Sequence, residues 1–312
     1  MQRHSRQKTM TTFRNTLKRV TPKPILNLAR ETRDALQRAS EWPSATFHPL
    51  RRDSIAKLAA LKDIHKGKRC FIIGNGPSLQ NTDLSKLRNE YTFGMNRVYL
   101  AFPEWGFQTS YLVSVNSLVI EQCAEDFLNL NLPQFFSWRS RKYFSKLPIT
   151  NYQLPITNPQ SPNHPIPQST DHRSPITDHP SPIFLHTTYT GPKFATDARG
   201  RLWEGATVTY VCLQLAFHMG FDTAILIGVD HSFTTQGQPN ATVISQGDDP
   251  NHFSATYFGK GFRWQLPDLD TSEVGYWMAK RAYKQAGRKV LDATVEGKLQ
   301  VFEKVEYRSL FG

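Results

Sequence analysis

"CFIIGNGPSLQ", residues 70–80, carries four apolar residues into two glycines, an asparagine and a proline. A short apolar run bounded in this way reads as a buried strand. Gly74 and Gly76 permit a tight turn, and Pro77 and Ser78 suit the first turn of a following helix. A strand–turn–helix of this kind presents backbone amides to an anion. It is not a P-loop, because no GxxxxGK followed by Ser or Thr is present. Nor is it a dinucleotide fingerprint, because Leu79 stands where GxGxxG needs its last glycine.

Downstream of this turn the text alternates. "YTFGMN" (91–96), "TSYLVSVN" (109–116) and "PQFFSW" (133–138) read as strands, and "SLVIEQCAEDFLNL" (117–130) has the apolar spacing of a helix. "GATVTYVCLQLAFHMG" (205–220) and "SEVGYWMAKRAYKQAG" (272–287) are two more helices, each closed by glycine. "DTAILIGVD" (222–230) is a buried strand ending in a carboxylate, and "RKVLDA" (288–293) is a last short strand. Short apolar strands alternating with helices imply an α/β, Rossmann-like, mostly parallel sheet with helices on both faces.

Two segments stand apart from that pattern. Residues 147–183 hold 9 of the 20 prolines and repeat LPIT, SPIT and SPI, a composition that blocks helix and central strand alike. They read as a disordered, proline-rich surface insertion. Residues 1–67 read as a basic helical N-terminal extension, with helical spacing in 24–39 and in "RRDSIAKLAALKDIHKGK" (51–68), closed by Gly67. The domain proper is then 68–312.

The net charge of +12 is concentrated in this extension: residues 1–68 contain 16 Lys and Arg against 5 Asp and Glu. The rest of the chain is nearly neutral, so the charge suggests contact of the extension with an anionic surface, lipid headgroups or RNA, or else a solvated arm, and no specific nucleic-acid partner is expected. Cys70, Cys123 and Cys212 are far apart in apolar contexts, as expected of free thiols in a reducing cytoplasm. The N-terminus lacks the pattern of a secretory signal. The expected location is therefore cytoplasmic, with contact at the inner membrane face through residues 1–68.

In open α/β sheets ligands sit beyond the carboxyl ends of the strands. Polar groups fall at those ends: Gly74, Asn75, Gly76, Pro77 and Ser78, then Asn96, Asn116, and Asp230 with His231. GNGPSL, an MN dipeptide about twenty residues on and SVNS another twenty on together resemble two related families. One is the 6-hydroxymethylpterin diphosphokinase MptE-like family; the other is the bacterial sialyltransferases that use CMP-sialic acid. The resemblance covers roughly residues 68–130 and 200–300.

It implies that Asn75, Asn96 and Asn116 contact a nucleotide donor and that Arg201 lies near its phosphate. Glu204 departs from the sialyltransferase pattern, which has a small hydroxyl residue there. His252 is the nearest match to a catalytic base, with His231 beside Asp230 as a competing candidate, and Tyr257 and Arg263 are candidate substrate contacts. Two activities follow, and a third class has no catalysis. Glycosyl transfer from a nucleotide-activated sugar to a small-molecule or surface-glycan acceptor needs no cofactor. Pyrophosphoryl transfer from ATP to a hydroxymethylpterin would need Mg²⁺, for which Asp230, Asp248 and Asp249 are the available carboxylates. The third class is a nucleotide-binding module docked at a membrane.

Overall fold

The computed structural model describes residues 23–145, 181–235 and 237–312. Its strands are β1 (Arg69–Ile73), β2 (Tyr91–Met95), β3 (Tyr111–Ser114), β4 (Gln134–Ser137), β5 (Ile183–Thr188), β6 (Arg201–Trp203), β7 (Thr223–Ile227), β8 (Thr242–Ile244), β9 (Arg263–Gln265), β10 (Lys289–Asp292) and β11 (Glu303–Lys304). Nine of them form one sheet in the order β11-β10-β7-β1-β2-β3-β4-β5-β6. Every neighbouring pair in it is parallel. β8 and β9 make a separate antiparallel ribbon.

The central strands are buried along almost their whole length, so they read as continuous apolar runs, as strands covered on both faces must. The longer helices are α1 (Lys23–Phe47), α2 (Pro49–Ala60), α3 (Ser117–Leu128), α4 (Val208–His218) and α5 (Leu269–Gln285). Nine of the eleven residues of α4 are buried, because it lies between the sheet and α5. The α/β reading of the sequence therefore holds, and the sheet is wholly parallel.

The basic extension needs a different boundary from the expected residue 67. The chain divides into one compact unit that ends at Thr46 and a second, Phe47–Gly312. Helix α2 belongs to the second. Its Arg51 is 1% exposed and donates to the carbonyls of Phe184, Arg199 and Gly200. The helix stops at Ala60 rather than running to Gly67. A turn follows, in which Asp63 N and His65 N donate to the carbonyls of His218 and Met219 at the end of α4.

Most of the proline-rich stretch, 147–180, lies outside the described residues. Its expected end at 183 is too late, because Ile183 is a 4% exposed core residue that opens β5 and pairs with Phe135. β4 and β5, which flank the insertion, are direct neighbours in the sheet.

Excising residues 147–180 and closing the gap with a short Gly/Ser linker is expected to shift Tm by no more than about 3 °C, because loop length enters stability only logarithmically. A drop of roughly 10 °C would show that the segment is packed.

A second expectation concerns His65, which is 6% exposed. Its Nε2 lies 2.6 Å from the Tyr111 hydroxyl and its ring stacks on Phe221. Burial, with a smaller push from Lys68, lowers its pKa from 6.5 to about 4. As pH falls, the unfolded chain binds this proton first. The stability it contributes is thus complete above pH 6.5 and is lost between pH 6.5 and about 4. Urea unfolding at the two ends of that window should differ by an extra roughly 2–3 kcal/mol in the parent compared with His65→Phe. An equal pH dependence in both proteins would contradict the assignment.

Candidate active site

The chain leaves β1 towards β2 on one side and later returns to place β7 on the other. The carboxyl ends of β1 and β7 thus flank a topological switch point, where open α/β sheets bind their ligands. A cleft of ≈ 220 Å³ opens there. Gly74, Asn75, Gly76, Asn96, Asn116, Asp230, His231 and His252 all line it, so most of the expected polar residues converge. Pro77 and Ser78 lie behind its wall.

The GNGPSL turn does not offer its amides to a ligand in the way its composition implies. Gly74 N donates to Ile227 O at 2.7 Å and Gly76 N to Gly228 O at 3.0 Å. Ser78 N and Ser78 Oγ donate to the two carboxylate oxygens of Asp230, at 3.2 and 2.8 Å. The anion held at the start of this 3₁₀ turn is the chain's own aspartate. That explains the glycines, because a Cβ on Gly74 would lie 2.0 Å from Gly228 O and one on Gly76 would lie 1.7 Å from Asp230 Oδ2. Burial raises the Asp230 carboxyl above its ordinary range, against the lowering effect of the Ser78 hydrogen bonds.

The outer face of the same turn anchors the loop that carries His252. Phe253 N donates to Asn75 O at 2.9 Å, and Gln80 Nε2 to Phe253 O at 2.7 Å. Within that loop His252 Nδ1 lies 2.7 Å from Asp249 Oδ2, and the Asp249 carboxylate is almost fully buried. The imidazole stacks on Tyr257, with centroids 4.1 Å apart and planes 8° from parallel, and Phe258 packs edge-on at 4.8 Å. A carboxylate paired with Nδ1 fixes the orientation of a ring that lines the cleft. This is the arrangement of an oriented general base.

His231 is built differently. It sits in the left-handed region at φ 55°, costly for a residue other than glycine. Its Nε2 lies 3.0 Å from Glu273 Oε1 on α5, and its side chain is 8% exposed. The asparagines also divide by role. Asn116 caps α3, its Oδ1 accepting from Leu118 N. Asn96 Oδ1 accepts from Ser114 Oγ. Asn75 Nδ2 donates to Met95 O, while its buried Oδ1 finds no partner among the described residues. The N-termini of α3, α4 and α5, at Asn116, Thr207 and Asp268, all border the cleft; those of α3 and α4 have neutral caps and favour an anion, whereas that of α5 is capped by the Asp268 carboxylate.

Three expected contacts lie elsewhere. Arg201 sits on β6, at the far edge of the sheet, and Nη1 donates to Thr188 Oγ1, Thr190 O and Gly191 O. It braces a loop rather than facing a donor phosphate. Tyr257 is 0% exposed and supports the His252 ring from behind, so it does not meet substrate. Arg263, on β9, pairs with Glu121 at 3.1 Å, outside the cleft wall.

The carboxylates assigned to Mg²⁺ also separate. Asp230 is committed to Ser78, Asp249 to His252 and Asn251 N, and Asp248 is exposed. Among the described residues no three His, Cys, Asp or Glu side chains gather as a metal site would require.

Sequence reasoning missed the role of Asp249, although the D-x-x-H spacing of Asp249 and His252 was available as a signal. It also missed Glu273, for which no local pattern exists because its partner is 42 residues away. Asn251 was overlooked too. Its side chain binds Thr234 N, Thr234 Oγ1 and Thr235 Oγ1, which fastens the His252 loop to the segment that follows His231.

No family model matches the chain, and no curated protein does. Among solved structures, a MAf glycosyltransferase from Magnetospirillum magneticum AMB-1 aligns with 83% of this chain and 39% of its own, with TM-score 0.39 and 13% identity. The sialyltransferase CstII from Campylobacter jejuni, in complex with a substrate analogue, cytidine-5'-monophosphate, aligns with 77% of this chain and 85% of its own, with TM-score 0.35 and 16% identity. This chain therefore spans well under half of the first protein. At these scores and identities neither likeness bears on activity.

The turn makes a direct prediction. Gly76→Ala should expel the Asp230 carboxylate and destabilise the protein by roughly 1.5–3 kcal/mol, the usual worth of a hydrogen bond to a charged group. A variant as stable as the parent in urea would show that Asp230 does not clamp the turn.

Proposed function

We propose that the protein is a nucleotide-dependent transferase of the MptE-like group that moves a glycosyl unit from a nucleotide-activated sugar to a hydroxyl acceptor. One observation carries this reading. A histidine oriented by a buried carboxylate faces a cleft at the switch point of a parallel sheet, bordered by three helix N-termini. Such a cleft suits a ligand with an anionic group to stabilise and a proton to remove.

In this reading the acceptor hydroxyl approaches Nε2 of His252 and gives up its proton as its oxygen attacks the anomeric carbon. Asp249 keeps the ring in the competent tautomer and steadies the imidazolium that forms. Asn75, Asn96 and Asn116 offer neutral amide edges to base and ribose, and the unsatisfied Asn75 Oδ1 would accept from a ligand N–H or O–H. The acceptor is proposed to be a cell-surface glycan, with the basic residues before Phe47 bringing the enzyme to an anionic membrane. No helix among the described residues is long and apolar enough to cross a membrane. The diphosphokinase alternative loses ground because its metal carboxylates do not converge.

Calorimetry with CMP, UDP and ATP, each with and without Mg²⁺, is expected to show binding of a nucleoside phosphate without metal. His252→Ala should lower turnover by roughly 10²–10⁴ with donor affinity little changed, as loss of a general base does. Asp249→Asn should act in the same direction. Binding of Mg·ATP alone, or full turnover by His252→Ala, would overturn the reading.

A further inference from the structure

The cleft contains a second imidazole–carboxylate pair that the transfer reading leaves unused. His231 follows Asp230 at the end of β7 and lines the same cleft as His252. Its side chain is 8% exposed, its Nε2 is tied to Glu273 at 3.0 Å, and Tyr276 from the same helix packs edge-on at 6.0 Å. Its backbone is held at φ 55°, a conformation of the kind that clusters at functional sites. The Asn251 side chain ties the loop after His231 to the loop bearing His252, so the two rings belong to one assembly.

The carboxylates tie the two rings through opposite nitrogens. His252 gives Nδ1 to Asp249, which leaves Nε2; His231 gives Nε2 to Glu273, which leaves Nδ1. Asp249 is buried behind a ring stacked on Tyr257. Glu273 is half-exposed and reaches His231 from the second turn of α5.

We infer that His231, positioned by Glu273, is the catalytic group that meets the departing nucleoside phosphate, while His252 takes the acceptor proton. This rests on the nucleotide-sugar reading above. The acceptor oxygen bonds to the anomeric carbon as the bond from that carbon to the phosphate oxygen breaks. The electron pair of the broken bond leaves on the phosphate. The acceptor proton passes to Nε2 of His252, and the imidazolium of His231 gives its Nδ1 proton to the departing phosphate oxygen. Glu273 is a positioning residue: it accepts Nε2–H and so aims Nδ1 into the cleft. One displacement uses both a proton acceptor and a proton donor, and each histidine has its own carboxylate partner.

The test uses the full chain and four proteins: parent, His231→Asn, Glu273→Gln and His252→Asn. Asparagine tolerates the left-handed backbone at 231, so the first variant should fold; matching far-UV spectra and melts check it. Each is assayed with CMP-, UDP- and GDP-linked sugars, and with an aryl glycoside of the accepted sugar, whose leaving group departs without a proton. His231→Asn should lose roughly 10²–10³ in kcat on the nucleotide sugar, as removal of one transition-state donor does. It should recover to within about threefold of the parent on the aryl donor, since no proton is then needed. Glu273→Gln should follow the same pattern more weakly, with KM unchanged. His252→Asn should be impaired on both donors. Equal loss by His231→Asn on both donors, or no loss on either, overturns the inference and leaves the transfer reading standing. If the parent turns over no nucleotide sugar, the transfer reading fails and this inference fails with it.

Discussion

The Asp230 carboxylate, buried against the turn after β1, is the interaction on which the rest of the site depends. It bridges the two strands that flank the switch point, because it leaves the end of β7 and is received by Ser78. Gly76 is required to admit this contact, and Gly74 to admit the backbone of Gly228 beside it, which together fix the path of the turn. The turn then supplies Asn75 O and Gln80 as the anchors for the loop that carries His252. An anion at the start of a short 3₁₀ turn is ordinary physics. Here the protein provides that anion itself, and the turn is a structural hinge point rather than a phosphate seat.

Under the proposed function, the anionic group of a donor is then bound elsewhere in the cleft. The helix N-termini at Asn116, Thr207 and Asp268 face the same space, and the histidines stand at the ends of separate loops. Each histidine is held by one carboxylate, and both line the cleft. Aromatic packing around His252 by Tyr257 and Phe258 makes that ring rigid, whereas His231 is held by backbone strain and one surface-reaching glutamate. The difference in support fits a difference in task.

Much of this was legible in the chain. The apolar runs at 70–73, 111–115 and 223–227 identify central parallel strands because burial on both faces leaves no alternation. The polar residues at their ends mark the cleft. What the sequence does not display is direction and partnership. Ser78 and Asp230 are 152 residues apart, and nothing local shows that one receives the other. Arg201 precedes a helix start in the expected way, yet its side chain turns to the loop at Thr188–Gly191. β5 and β6 follow a proline-rich stretch, and β6 is only three residues long, too short for periodicity to reveal. The end of α2 at Ala60 is likewise set by tertiary contacts with α4, not by a local stop signal.

The most direct test is a histidine-labelled NMR titration with CMP, UDP and GDP, the ring resonances assigned through His231→Asn and His252→Asn. The account predicts that at least one of these nucleotides shifts the ring signals of both His231 and His252. The signals of His65 and His218, which are 6% and 1% exposed in the core, should stay in place. Absence of any shift at His231 and His252 with all three nucleotides would contradict the claim that the switch-point cleft is the donor site.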